Sequence, residues 1–239
     1  MDERIIGLLI EKIKYLEEAV GHKVTYEMYL PTYFDSNDIV EIQKVIKRMA
    51  EFIGLSKFTF IVSKIKLDHD VGARIELREG SREVYVEISS EISSSHELVM
   101  AALAHELAHK YIQINLVVPS KWKNNTYENE VLTDITAIFL GFGKLMLNGC
   151  HGRVRENIYQ EGQLHDYISN IKTGYLTHKQ YAFVYKLICM MRNVNEGIIL
   201  SNLSSEARFM IDDLEHSDEL YKYFRREYHA KGYMDDYVE

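Results

Sequence analysis

An α+β fold follows from three features of the chain. Short β-rich segments are confined to residues 58–88, helical spacing of apolar residues dominates after Ser95, and no repeat or linker divides the sequence. In chain order, Ile5, Leu8, Leu9, Ile13 and Leu16 form one stripe of a helix over 4–20. Val24 to Leu30 reads as extended and is stopped by Pro31. Asp35 or Ser36 can cap a second helix running to about Gly54, with Val40, Ile42, Val45, Ile46 and Met49 inward. The period then changes to the alternation of strands at Phe58–Val62, Ala73–Leu77 and Val84–Ile88, and Glu79-Gly80-Ser81 offers a turn between the last two. A small, mostly antiparallel sheet is expected. Helices are expected at 96–115, 128–148, 177–193, 203–215 and 217–230. The expected organisation is an N-terminal α/β half over 1–94 and a helical half over 95–239, together making one compact unit.

Composition narrows the function classes. Across 239 residues, Lys+Arg 28 against Asp+Glu 36 gives a net charge of −8, so no global positive field recruits nucleic acid or an anionic membrane. Two cysteines, Cys150 and Cys189, cannot build a disulfide framework and suit a reducing compartment. The apolar run near the N-terminus is short and follows Asp2 and Glu3, unlike a secretory leader. The run Ala137–Leu147 is broken by Lys144 and falls short of the roughly 18 residues of a membrane span. A cytoplasmic protein is expected, with neither nucleic acid nor membrane as partner.

The chemistry concentrates in His105-Glu106-Leu107-Ala108-His109, an HExxH string within a helical stretch. Residues four apart on a helix differ by about 40° in direction, so both imidazoles point the same way. Two nitrogens can then reach one zinc ion at about 2.0–2.1 Å. Glu106, one position further round, can take the proton of a water whose pKa zinc lowers to about 7. The flanks, from Leu98 to Ala108, are almost wholly apolar or small. A helix buried nearly all round needs a partner for each buried polar side chain.

A catalytic zinc site needs a third protein ligand and an open fourth position. Asn129-Glu130-Val131-Leu132-Thr133-Asp134 supplies one, because Glu130 and Asp134 share a helical face. Glu130 can bind the ion while Asp134 accepts the outer N–H of a ligand histidine, and Asn129 can do the same for the other. Together, His105-Glu106-xx-His109 and Asn129-Glu130-xx-Thr133-Asp134 resemble the gluzincins, the thermolysin-like branch of the zincin metallopeptidases, over about residues 96–148. The resemblance implies a zincin-like fold, with His105, His109 and Glu130 as zinc ligands and Glu106 as general base. It implies Asp134 as orienter of His105 and Asn129 as orienter of His109. It also implies that Val84–Ile88 is an edge strand on which an extended peptide pairs.

Attack on a peptide carbonyl builds negative charge on its oxygen, which calls for a hydrogen-bond donor. Tyr175, at a turn before a helix, and His178, in the first turn of that helix, are the leading candidates, with His165 and His151 behind them. Gly141-Phe142-Gly143 costs the second site helix about 2 kcal/mol of propensity, offset by a close helix approach or spent on a kink. Residues 116–128 either overhang the cleft or form a plain surface loop. The expected activity is zinc-dependent peptide hydrolysis on a restricted intracellular substrate. The alternative is a zinc-binding regulatory module that does not turn over.

Overall fold

The structure, a computed structural model, describes residues 1–21, 27–67, 71–160 and 163–217, without the side chains of 151 and 153–172. It is α+β and mostly helical, and among the described residues no helix is long and apolar enough to cross a membrane. Helix α1 (Glu3–Val20) starts where the Asp2 side chain accepts the Arg4 N–H. Leu9, Ile13 and Leu16 face inward as expected and are joined by Ile6, Lys12 and Val20, while Ile5 and Leu8 are exposed. Helix α2 (Ile39–Phe52) is capped by Asp38 rather than Asp35 or Ser36. The Ser36 hydroxyl is spent elsewhere, donating to the Ser93 carbonyl. Ile42, Val45, Ile46 and Met49 face inward as expected, while Val40 faces out. Of the expected extended segment Val24–Leu30, residues 22–26 lie outside the described residues. Residues 27–30 are irregular, with the Tyr29 N–H donating to Gly141.

Strands β1 (Thr59–Ile65), β2 (Ala73–Ile75) and β3 (Glu83–Ser89) form one sheet in the order β1-β3-β2. This corrects the expected mostly antiparallel sheet, for β1 runs parallel to β3 and only β2 is antiparallel to it. A parallel pair needs a crossover of about a dozen residues or more, and residues 66–82 provide it, with β2 carried inside. The expected edge strand Val84–Ile88 is therefore the central one. The true edges are β1 and β2. Gln43 of α2 covers part of β1, its amide donating to the Phe60 carbonyl and accepting the Val62 N–H.

Helix α3 (His96–Asn115), capped by Ser95, is buried nearly all round and packs against α2, β2, β3 and two helices further along the chain. Beyond it, α4 (Ser120–Lys123) leads to α5 (Thr126–Ala137), capped by Asn125. The helix expected over 128–148 is not continuous. A π-type turn at Ile138–Phe142 separates α5 from α6 (Gly143–Gly149), with Gly141 at φ 100°. A Cβ there would meet the Glu27 carbonyl, so the glycine serves a kink and a close backbone crossing. Strands β4 (His151–Gln160) and β5 (Gln163–Lys172) pair as an antiparallel hairpin that the sequence did not suggest. Helices α7 (His178–Met191), α8 (Glu196–Leu200) and α9 (Ser205–Ser217) complete the described chain. The helix expected at 217–230 lies outside the described residues apart from Ser217. Cys150 and Cys189 are both buried, and neither is in a disulfide.

Candidate metal centre

Helix α3 presents His105 and His109 on one face, with ring centroids 4.7 Å apart. Helix α5 brings Glu130 to them, so that Glu130 Oε2 lies 3.0 Å from His105 Nε2 and 3.1 Å from His109 Nε2. One donor atom from each of the three residues falls within 4.8 Å of the others. Donors held about 2.0–2.1 Å from one tetrahedral centre are separated by about 3.3 Å, and both carboxylate–imidazole separations come within a few tenths of an ångström of that. The cluster opens into a cleft of about 720 Å³, bounded by β2 and by the turn at Gly174 and Tyr175.

The outer nitrogens fix which lone pairs face inward. His105 Nδ1 lies 2.8 Å from Asp134 Oδ1, and the fully buried carboxylate accepts, so Nδ1 carries a proton and Nε2 is the nitrogen left to take a cation or a second proton. His109 Nδ1 lies 3.3 Å from the Thr133 hydroxyl, which itself donates to the Asn129 carbonyl at 3.0 Å. A hydroxyl that has given its proton to a carbonyl accepts from Nδ1, which again leaves Nε2 to take a cation or a second proton. The orienter of His109 is thus Thr133, and Asn129 contributes its main-chain oxygen to the hydroxyl rather than a side chain to the ring. This corrects the role that the resemblance implied for Asn129. The reason is positional: Asn129 lies one full turn back along α5, and Thr133 stands between it and the ring.

Two Nε2 atoms facing a carboxylate oxygen need a cation or a shared proton between them. Without a metal, burial by itself would lower the His105 pKa, but hydrogen bonds to Asp134 and Glu130 and the Glu106 charge overcome it and raise it to about 10. Burial works to raise Glu130, yet its hydrogen bonds to the two histidines outweigh that and lower it to about 2. With no ion between them, the same contacts favour the protonated form of the His105 imidazole. Two imidazole nitrogens and one carboxylate suit zinc among the common divalent metals. Glu106, also buried, has its pKa raised by desolvation, against the opposing pull of His105 and His109.

Tyr175 lines the same cleft and lies over His105, ring centroids 6.1 Å apart and 26° between planes. Burial, then Glu130, Asp134 and Glu106, raise its phenol pKa, so it stays a donor. His178 does not join it. That residue lines a separate hollow with Met1, Ile5 and Phe209, because the turn that aims Tyr175 inward starts α7 in another direction. The side chains of His151 and His165 lie outside the described residues. Residues 116–128 neither line the cleft nor form a plain loop, for they carry α4 and the start of α5. Tyr15 donates to the Val117 carbonyl, Trp122 packs edge-on against Tyr15, and Lys121 pairs with Glu11, which fastens this segment to α1. Two residues that sequence reasoning left without a role belong to the centre: Thr133, and Tyr181, whose hydroxyl donates to Asp134 Oδ2 at 2.8 Å. Thr133 stood inside the quoted motif, whereas nothing in the local sequence marks Tyr181. Comparison with protein-family models, curated proteins and solved structures found no match to this chain.

Proposed function

We propose that this chain is a zinc-dependent metallopeptidase of the gluzincin type with a zincin-like fold. One observation carries the reading: His105 Nε2, His109 Nε2 and Glu130 Oε2 converge in an open cleft that Glu106 and Tyr175 also line. Zinc held by His105, His109 and Glu130 would supply a Lewis acid for a carbonyl and acidify water at the open position. Glu106 takes the proton of the attacking water and hands it to the leaving amine, and a pKa raised by burial brings it nearer the range where one group does both. The Tyr175 phenol donates to the carbonyl oxygen as negative charge builds there.

The substrate would lie along β2 rather than β3. Ser89 donates to Gly72 and Glu76 donates to Tyr85, so the hydrogen-bonding groups of Gly72 and Glu76 face β3. Alternation then turns the N–H and C=O of Ala73 toward the cleft, where an extended peptide can pair with them. Three protein ligands and an open side favour an enzyme over a purely structural zinc site, which is normally closed by four.

The test is cleavage of a mixture of unfolded proteins by the purified chain, with and without a chelator, beside Glu106→Gln. The variant is expected to keep zinc and to lose about 10²–10⁴-fold in rate, the usual worth of a general base. Cleavage that survives the chelator, or that Glu106→Gln carries out undiminished, rejects the proposal.

A further inference from the structure

The Asp134 carboxylate does more than orient one histidine. It is fully buried, and its two oxygens take four donors. His105 Nδ1 lies 2.8 Å from Oδ1. On Oδ2 converge the backbone N–H of Tyr175 at 2.6 Å, that of Leu176 at 3.1 Å and the Tyr181 hydroxyl at 2.8 Å. Three donors saturate Oδ2, which has about two lone pairs, and one holds Oδ1, so the buried carboxylate is pinned at both oxygens. The turn that delivers the two amides depends on Gly174, at φ 86°, where any Cβ would run into the Tyr181 hydroxyl and the Asp134 carboxylate. Tyr181 is itself fully buried on α7, and besides Asp134 its hydroxyl meets the Thr173 carbonyl at 3.4 Å and the backbone of Leu176.

We infer that Tyr181 is a positioning residue which, through Asp134, locks the hold on His105 and the placement of the 173–176 turn into one unit. The inference rests on the metal-site reading above. Tyr181 lies outside the cluster that would hold the ion and outside the lining of the cleft, and it acts through the carboxylate. The consequence is reciprocal coupling. Filling the His105 site fixes the imidazole, the imidazole fixes Asp134, and Asp134 holds the amides on either side of the Tyr175–Leu176 peptide bond, so whatever steadies one end steadies the other. A ligand site and the turn that carries the proposed donor, Tyr175, are thereby set together.

Tyr185, one turn further along α7, is an internal control. It is equally buried, and its hydroxyl donates to the Ile199 carbonyl at 2.9 Å, away from the centre. Zn(II) affinity, measured by competition with a chromophoric chelator, should fall roughly tenfold in Tyr181→Phe, at the lower end of the 10–100-fold range for groups that orient ligands. Tyr185→Phe should bind Zn(II) within about twofold of the parent, although it also loses a buried hydrogen bond. In the unaltered protein, amide hydrogen exchange at Tyr175 and Leu176 should slow when Zn(II) is added, a readout that needs no variant to fold. If Zn(II) binds the parent chain but Tyr181→Phe matches it, or Tyr185→Phe weakens as much, or exchange at the two amides is unchanged, Tyr181 is packing only and this inference fails alone. If the parent chain binds no Zn(II), the metallopeptidase reading fails and this inference with it.

Discussion

Thr133 touches neither the cleft nor an inward-facing nitrogen, yet its hydroxyl decides which nitrogen of His109 is free. Its proton goes to the Asn129 carbonyl and its lone pair takes the Nδ1–H. Thr133→Val keeps the shape and removes both bonds, leaving an N–H without an acceptor inside the site. Zn(II) affinity in that variant should fall by about 10–100-fold, while Thr133→Ser should restore it. Asn129→Ala should leave it unchanged, since only the main-chain oxygen of Asn129 is used. Equal loss in Thr133→Ser and Thr133→Val, or a loss in Asn129→Ala, would return the orienting role to Asn129. The contrast shows what residue spacing can convey. His105, His109, Glu130 and Asp134 were legible because four-residue spacing on a helix fixes direction from sequence alone. Which outer group meets His109 depends on how α3 and α5 approach one another, and His178 and Tyr175 part company over the direction of a single turn. Neither follows from spacing.

At the scale of elements, Lys144 is the informative case. In the sequence it only interrupts an apolar run. In the structure it remains in α6 and is completely buried, its ammonium donating to the Ile198 carbonyl at 2.6 Å, the Ser201 carbonyl at 2.8 Å and the Ser201 hydroxyl at 2.9 Å. Three protons meet three neutral acceptors at the carboxyl end of α8, where a helix leaves its carbonyls unpaired and the dipole favours a cation. Desolvation nonetheless lowers the Lys144 pKa from its ordinary 10.5, against a smaller opposing effect of Cys189. The sign then follows. Between the depressed folded value and 10.5 the unfolded chain binds more protons than the native one, so this residue adds stability as pH rises through that window. Urea unfolding across alkaline pH should show the parent gaining on Lys144→Met over that range, whereas curves that stay parallel would mean Lys144 is as well solvated folded as unfolded. Helices such as α3 were legible in outline because apolar spacing and caps are local signals. Strand order was not, because the parallel pairing of β1 with β3 is set by a crossover and by the cover α2 lays over β1. The β4–β5 hairpin was missed because Leu164, Tyr167, Ile168 and Ile171 recur at helical spacing and Val154 and Ile158 are four apart, so strand alternation does not show.

For the whole molecule, the centre joins parts of the chain that only folding brings together. His105 and Glu130 are 25 residues apart, and Asp134 reaches 41 and 42 residues on to the amides of Tyr175 and Leu176. An unfolded chain holds no such arrangement, so an ion that prefers it binds the native state and stabilises the fold by mass action. At a free Zn(II) concentration 100-fold above Kd this amounts to about 2.7 kcal/mol, a rise of about 5–11 °C in Tm for a chain of this size. The rise should grow with Zn(II) concentration, vanish on chelation and be lost in His109→Ala, which removes a ligand without touching the Asp134 network. It should be reduced but present in Tyr181→Phe, where the ligands remain and only their bracing is weakened. Differential scanning calorimetry of the three chains separates these cases. A shift as large in His109→Ala as in the parent would place the stabilising ion elsewhere, and the convergence of two imidazoles and a carboxylate would then be a buried ion-pair cluster that braces α3 against α5.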